Sequence, residues 1–387
     1  MSDELLECIS KKDLELLKAF ISESYPDLND TCGPTTPLNM AVRSGNLDIF
    51  SYLIEQGCDV NLCDENGETP LIFACVKGNI DISKLLIEKG CDVNKQSKSG
   101  LSAFHLACKS GNTELINLLI EQGADIHAVN NDGKNAYYFA SKIETMTLLH
   151  NNNVSLNVVD KDGFSPVLFS AKNGHYPKFS FILEHIKDYD PNEATKNSET
   201  AILFCAESQL YQQELIVADL IKLGADVNKK DKNGMSPLHN CASNNHVKIA
   251  TAILDHVDEN NRPKAHIDVI EPCLGHTPLQ LACGNGHLDM IKLLLQKGAD
   301  INFVNPLEVT ALDVANKAYC KNEEIISFLV SNGAISGSAE ANAARNKELD
   351  DIKMVVMQGL DQVGGNGPVY KEANGSKQEK KKRCILM

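Results

Sequence analysis

TPLIFACVKGNIDISKLLIEKGCDVNKQSKSGL, residues Thr69 to Leu101, contains the plan of most of the chain. Thr69 suits a helix N-cap, where its hydroxyl accepts from a first-turn N–H, and Pro70 suits the first turn because it has no N–H to lose. Pro70 to Lys77 reads as a short apolar helix, and Gly78-Asn79 turns the chain. Ile80 to Lys89 reads as a second helix, apolar at Ile82, Leu85, Leu86 and Ile87, close to a 3.6-residue period. Gly90 ends it as the residue after the cap. Asp92-Val93-Asn94 is extended and leads to a tight turn at Ser99-Gly100.

The same plan precedes and follows this stretch. Thr36 to Glu68 reads TPLNMAVRSGNLDIFSYLIEQGCDVNLCDENGE, and Ser102 to Lys134 reads SAFHLACKSGNTELINLLIEQGADIHAVNNDGK. Further starts fall at Asn135, Ser165, Thr200, Ser236, Thr277 and Thr310, so successive spacings are 33, 33, 33, 30, 35, 36, 41 and 33 residues. One helix pair cannot bury its apolar face alone, whereas stacked neighbours build a continuous core.

The period and the T-P-L-H-x-A pattern resemble the ankyrin repeat. The best local matches are Ser236-Pro237-Leu238-His239 and Thr277-Pro278-Leu279-Gln280-Leu281-Ala282. The resemblance implies an all-α repeat solenoid, in which helix-turn-helix repeats stack and β-hairpin-like turns join them. It also implies a non-enzymatic binder of proteins. The expected layout is an N-terminal capping repeat over 1–35, nine repeats over 36–338, a degenerate polar cap over 339–361 and a disordered tail over 362–387. The middle is irregular. The repeat from Asn135 has no Gly-Asn turn, that from Thr200 carries extra residues near Gln209 to Glu214, and that from Ser236 has a polar insertion at Asp258 to Leu274. Such departures either bend a stack, display a contact loop, or are tolerated surface insertions.

Composition narrows the chemistry. Net charge is −15 with a pI near 5.2, which opposes nucleic acid as a main partner because phosphate contacts need Lys and Arg. No charged and apolar leader follows Met1, so no secretory signal is expected, and no apolar run approaches the ~20 residues of a bilayer span. Thirteen cysteines then read as reduced thiols. Cys58 and Cys91 fill the slot of Ala124, Ala225 and Ala299, while Cys75, Cys108 and Cys283 share another small-residue slot. His105 and His239 occupy one repeat position and are expected to be tied into the stack. Asp160-Lys161-Asp162-Gly163 and Asp231-Lys232-Asn233-Gly234 lack the twelve-residue layout of a calcium loop and read as turns. No catalytic, metal or cofactor motif is present, so no cofactor is expected.

In ankyrin-like stacks the turn tips and the exposed side of the first helices form a concave face. The residues after the turn glycines are Glu68, Leu101, Lys134, Phe164, Met235 and Val309. Leu101, Phe164, Met235 and Val309 are apolar where solvent is expected, and exposed apolar residues in a groove act as contact anchors. Phe164 and Met235 are the strongest candidates. A monomer binding a protein partner is expected.

The tail carries a separate signal. Lys380, Lys381, Lys382 and Arg383 precede Cys384-Ile385-Leu386-Met387, a C-a-a-X ending whose Met points to farnesyl on Cys384. The basic run would add attraction to an anionic cytoplasmic leaflet. The expectation is a lipid-anchored scaffold at a cytoplasmic membrane surface. The alternatives are a soluble adaptor or substrate-recognition subunit with an unmodified tail, a nuclear protein using the basic run for import, or a bacterial effector modified inside a eukaryotic host.

Overall fold

A computed structural model describes residues 2–337, apart from 30–34, 209, 211, 259, 261 and 319–321. The expected cap over 339–361, the tail, the basic run and Cys384 lie outside the described residues. The described residues are an all-α repeat solenoid of twenty helices with no strand among them. The described residues form two compact bodies, divided between Lys196 and Asn197.

The N-terminal body begins with the pair Ser2–Ser10 and Leu14–Ser24. Five pairs follow: Pro37–Ser44 with Leu47–Glu55, Pro70–Lys77 with Ile80–Glu88, Ala103–Ser110 with Thr113–Glu121, Ala136–Phe139 with Ile143–Asn151, and Pro166–Lys172 with Tyr176–His185. The C-terminal body has Ala201–Glu207 with Gln213–Lys222, Pro237–Asn244 with Val247–Leu254, Pro278–Asn285 with Leu288–Gln296, and Ala311–Lys317 with Glu323–Ser331.

Local chemistry places these helices. The hydroxyls of Thr36, Thr69, Ser102, Ser165, Ser236, Thr277 and Thr310 each accept the backbone N–H three residues on. Thr200 departs from the pattern: its hydroxyl makes no cap bond. Second helices are capped by Asn46, Asn79, Asn112 and Asn322, so Asn in the Gly-Asn pair is a cap as well as a turn residue. Helix ends buried without such partners would leave up to four N–H groups unpaired. The core is a column of small and aliphatic side chains, such as Leu38, Ala41, Leu71, Ala74, Ala107, Leu115 and Leu119, all essentially inaccessible.

The irregular repeats have definite solutions. The helix from Ala136 stops after Phe139, and Ala140 turns extended (φ −59°, ψ 123°). Buried Lys178, from the next repeat, donates to the Tyr138 and Ala140 carbonyls at 3.1 and 3.0 Å. In the repeat from Thr200, buried Gln213 folds the extra residues back by accepting from Leu210 N–H at 3.2 Å and donating to the Ser208 hydroxyl. The insertion in the repeat from Ser236 forms a small turn, with Lys264 N–H on the His256 carbonyl and Asp258 accepting from Asn260 and Arg262 N–H.

Candidate functional site

Most turn tips are built on one short polar side chain, and the tip before Gly275 on Glu271, whose carboxylate accepts from Cys273, Leu274 and His276 N–H. The carboxylate of Asp64 accepts from Asn66 and Glu68 N–H, both at 2.9 Å. Asn130, Asp160, Asp231 and Asn305 do the same for the N–H groups two and four residues on. Ser97 plays the part with its hydroxyl toward Leu101. This polar residue lies three positions before the turn glycine in D-E-N-G, S-K-S-G, N-N-D-G, D-K-D-G and D-K-N-G, so a readable signal for it exists in the sequence. Within the N-terminal body the tips also join one another. Lys98 N–H reaches the Asn66 carbonyl, Asn131 that of Ser99, Lys161 that of Asp132 and Lys196 that of Asp162, at 2.7–3.0 Å. The tips are therefore a hydrogen-bonded row, which holds their side chains in register.

That row fixes the expected contact residues more firmly than sequence suggests. Leu101, Phe164, Met235 and Val309 are each half-buried rather than fully exposed. Their backbone groups close the turns, as in Asp160 N–H to the Phe164 carbonyl and Asp231 N–H to that of Met235. The Phe164 ring lies under the Lys172 ammonium, 4.6 Å from the ring centre. Phe164 and Leu101 belong to the N-terminal body, Met235 and Val309 to the C-terminal one, so they are two local sets.

In the N-terminal body a second set of apolar side chains is available. The fifth residue of the repeat supplies Met40, Phe73, Phe139 and Phe169, all half-buried, on the first helices, whereas in the repeat from Ser102 it is Leu106, which is buried. His105 meets Phe139 edge-on at 5.3 Å, and Tyr138 meets Phe169 at 5.4 Å. Lys134 stands 5.5 Å over Phe169 and 3.6 Å from the Asp160 carboxylate. Lys109 and Lys172 occupy the last turns of their helices and are exposed, and exposed Lys142 lies along Gly111, donating to its carbonyl at 3.1 Å. Val129 and Val159, one residue before the turn-closing side chains, are 44% and 56% exposed. These residues were missed because helical periodicity marks a buried stripe and gives no sign of which flanking position stays half open.

In some repeats the fourth position carries a polar side chain that ties the first helix to the loop leaving the same repeat. His105 Nδ1 accepts from Ser102 N–H, which leaves Nε2–H to donate to the Ala128 carbonyl at 3.1 Å. Gln280 reproduces this: its oxygen accepts from Thr277 N–H, and its amide donates to the Phe303 and Val309 carbonyls at 3.0 Å. His239 is fully buried beside Ser236, and burial pushes its imidazole down to about 4. Unfolded histidine takes up a proton near 6.5, so between pH 6.5 and 4 the unfolded chain binds more protons and stability falls as pH falls. The loss from this group is on the order of 3 kcal/mol, since each pH unit between those two values contributes about 1.36 kcal/mol. His239→Gln should keep stability at pH 7 within about 1 kcal/mol, since Gln280 satisfies the same slot. It should also flatten the acid loss in urea titrations at pH 7, 5.5 and 4.5. Equal acid slopes in both proteins would remove His239 as the cause.

Cys58, Cys75, Cys108 and Cys283 pack as expected of small core residues, whereas Cys91, in the same slot as Cys58, is half-buried. Cys75, Cys108 and Cys283 are buried and free, and burial raises all three thiols, Cys75 and Cys283 to about 12. Such thiols are unreactive. Among the described residues no three or more His, Cys, Asp or Glu side chains are grouped to hold a metal ion. No described helix is long and apolar enough to cross a membrane.

Family models described as "Ankyrin repeats (3 copies)" match residues 5–97, 211–305 and 263–343, and "Ankyrin repeats (many copies)" matches 86–140. Among curated proteins, the chain is 29% identical over 158 residues to Alpha-latrocrustotoxin-Lt1a of Latrodectus tredecimguttatus, covering 39% of this chain and 10% of that one. It is 27% identical to Ankyrin repeat and KH domain-containing protein mask-1 of Caenorhabditis elegans, over 35% of this chain and 5% of the relative. It is also 27% identical to Ankyrin repeat protein nuc-2 of Neurospora crassa, over 43% and 14%. The similarity thus spans a small part of each of these longer relatives. With the capped helix pairs, the hydrogen-bonded tips and the family models agreeing over more than half its length, this chain belongs to the ankyrin-repeat family.

Proposed function

We propose that the protein is a non-enzymatic scaffold that binds a partner protein and is held at a cytoplasmic membrane surface by a prenyl group on Cys384. The binding half rests on one observation: the repeats present half-exposed apolar side chains, Leu101, Phe164, Met235 and Val309 among them, on turns whose backbone is already hydrogen-bonded. Such a surface binds with little ordering cost, because its tips are held before the partner arrives. The membrane half rests on sequence. A chain ending at Met387 would present Cys384-Ile385-Leu386-Met387 as the C-a-a-X box that a prenyltransferase takes. One lipid chain anchors only marginally. Lys380, Lys381, Lys382 and Arg383 add about 1 kcal/mol each at an anionic leaflet, so together they supply the second signal. Screening over ~8 Å at physiological salt keeps the acidic repeats from cancelling this attraction when the tail stands off.

The test is fractionation of wild type and Cys384→Ser in a prenylating cell, with intact-mass measurement of the C-terminal peptide. Wild type should pellet with membranes and carry the added isoprenoid, and the variant should move almost wholly to the supernatant. Identical fractionation would end the tether and leave the soluble-adaptor reading.

A further inference from the structure

The chain is acidic overall, and its N-terminal body is acidic too. Yet three consecutive repeats of that body, those from Ser102, Asn135 and Ser165, carry a local surface of the opposite sign. Its apolar floor is Phe139 and Phe169 with Phe164 from the adjoining tip, all half-exposed. Contacts connect the floor: Tyr138 joins Phe139's helix to Phe169, and Lys172 covers Phe164. Its rim is Lys109 and Lys172, exposed in the last turns of their first helices, and Lys142, the exposed N-cap of the second helix in the repeat from Asn135, whose ammonium also donates to the Gly111 carbonyl. The neighbouring carboxylates are the tip residues Asp132 and Asp162, which are exposed, and Asp160, which is buried against Lys134. A lysine in a last helical turn is favoured by the helix dipole alone. That effect does not account for the part-exposed aromatic rings beside it, which cost apolar exposure to keep.

We infer that this face of the N-terminal body binds an acidic peptide segment of a partner protein, its carboxylates on Lys109, Lys142 and Lys172 and an apolar side chain against Phe139, Phe164 and Phe169. The inference rests on the scaffold reading above and specifies the partner chemistry. Charge complementarity selects the occupant, because a basic segment would meet the three ammonium groups at contact distance. The acidity of the remaining chain does not forbid an acidic ligand. Beyond about 8 Å that repulsion is screened at physiological salt, so the lysines in contact decide the sign. The repulsion slows encounter and leaves the bound state held by local contacts.

The experiment uses the full-length chain to select binders from a display library of random twelve-residue peptides. The enriched peptides are then synthesised with a dye, and their Kd is measured by anisotropy. The expected enrichment is in Asp and Glu together with Phe or Leu. Lys109→Glu with Lys172→Glu should weaken these peptides at least tenfold. Lys89→Glu with Lys187→Glu, two exposed lysines just past second-helix ends with the same net charge change, should alter Kd less than twofold. A labelled uridine 20-mer is run in parallel, since lysines beside aromatic rings also suit single-stranded nucleic acid. The inference is overturned by no enrichment, by basic or neutral consensus peptides, by indifference to the Lys109/Lys172 reversal, or by tighter binding of the 20-mer. Peptides that bind independently of these lysines leave the scaffold reading intact and remove only this surface.

Discussion

Replacing Lys178 by alanine is expected to cost the N-terminal body about 3–5 kcal/mol in denaturant titration, the largest single-residue effect anticipated for this chain. The repeat from Asn135 has only 30 residues, and its first helix stops after four. The carbonyls of Tyr138 and Ala140 are then left without helical donors. Lys178 supplies both from the following repeat, with its stem packed so that only 4% of the residue is accessible. Burial pushes the ammonium down to about 8, so it is still mainly protonated at neutral pH and can serve two carbonyls. Alanine would orphan two buried acceptors, at about 1–3 kcal/mol each, and leave a cavity as well. Lys178→Met separates the two contributions, because it fills the volume and provides no donor. Methionine should recover the cavity part and still lose about 2 kcal/mol. Full recovery by methionine would show that the lysine acts only by packing.

Gly100→Ala is the second large effect, with an expected loss of about 3 kcal/mol. Gly100 has φ +77°, and a Cβ there would lie 2.5 Å from Asn131 N and 2.6 Å from its Oδ1. Asn131 holds the tips together from the same place: its N–H donates to the Ser99 carbonyl at 3.0 Å and its side-chain amide to that of Lys98 at 2.7 Å. Alanine therefore adds left-handed strain, roughly 1–2 kcal/mol, and pushes the next tip off its bonds. Gly123 is the control. Its φ is +79°, and a Cβ would meet nothing within 4 Å. Gly123→Ala should lose only the strain part. Equal losses at the two sites would mean that the tip-to-tip bonds contribute no measurable stability.

Both predictions concern contacts across repeats, and that is where sequence reading thinned out. Thr69, Pro70, Gly78 and Gly90 act within one or two turns of themselves, so the helices Pro70–Lys77 and Ile80–Glu88 could be placed almost to the residue. The period of 33 then implied stacking, because a helix pair cannot bury its own face. The histidine bridge at His105 and the inert cysteines followed from their repeat slots. Exposure did not follow. Phe164 and Met235 read as open tip residues, and the structure holds them half-buried. Phe139 and Phe169, nearer the middle of the surface, gave no sign of accessibility in the sequence. Accessibility at those positions depends on a neighbour about 30 residues away, and the short repeat shifts that spacing.

By itself the amino-acid sequence determined the helix pairs, their caps, their turns and the ankyrin stacking, because these depend on interactions a few residues long repeated at a constant interval. Only the tertiary structure decided which tip side chains stay half open, how the truncated repeat satisfies its carbonyls through Lys178, and where lysines and aromatic rings converge on one face. Those features come from pairs of residues about 25 to 40 positions apart, brought together by stacking, and no local pattern records them.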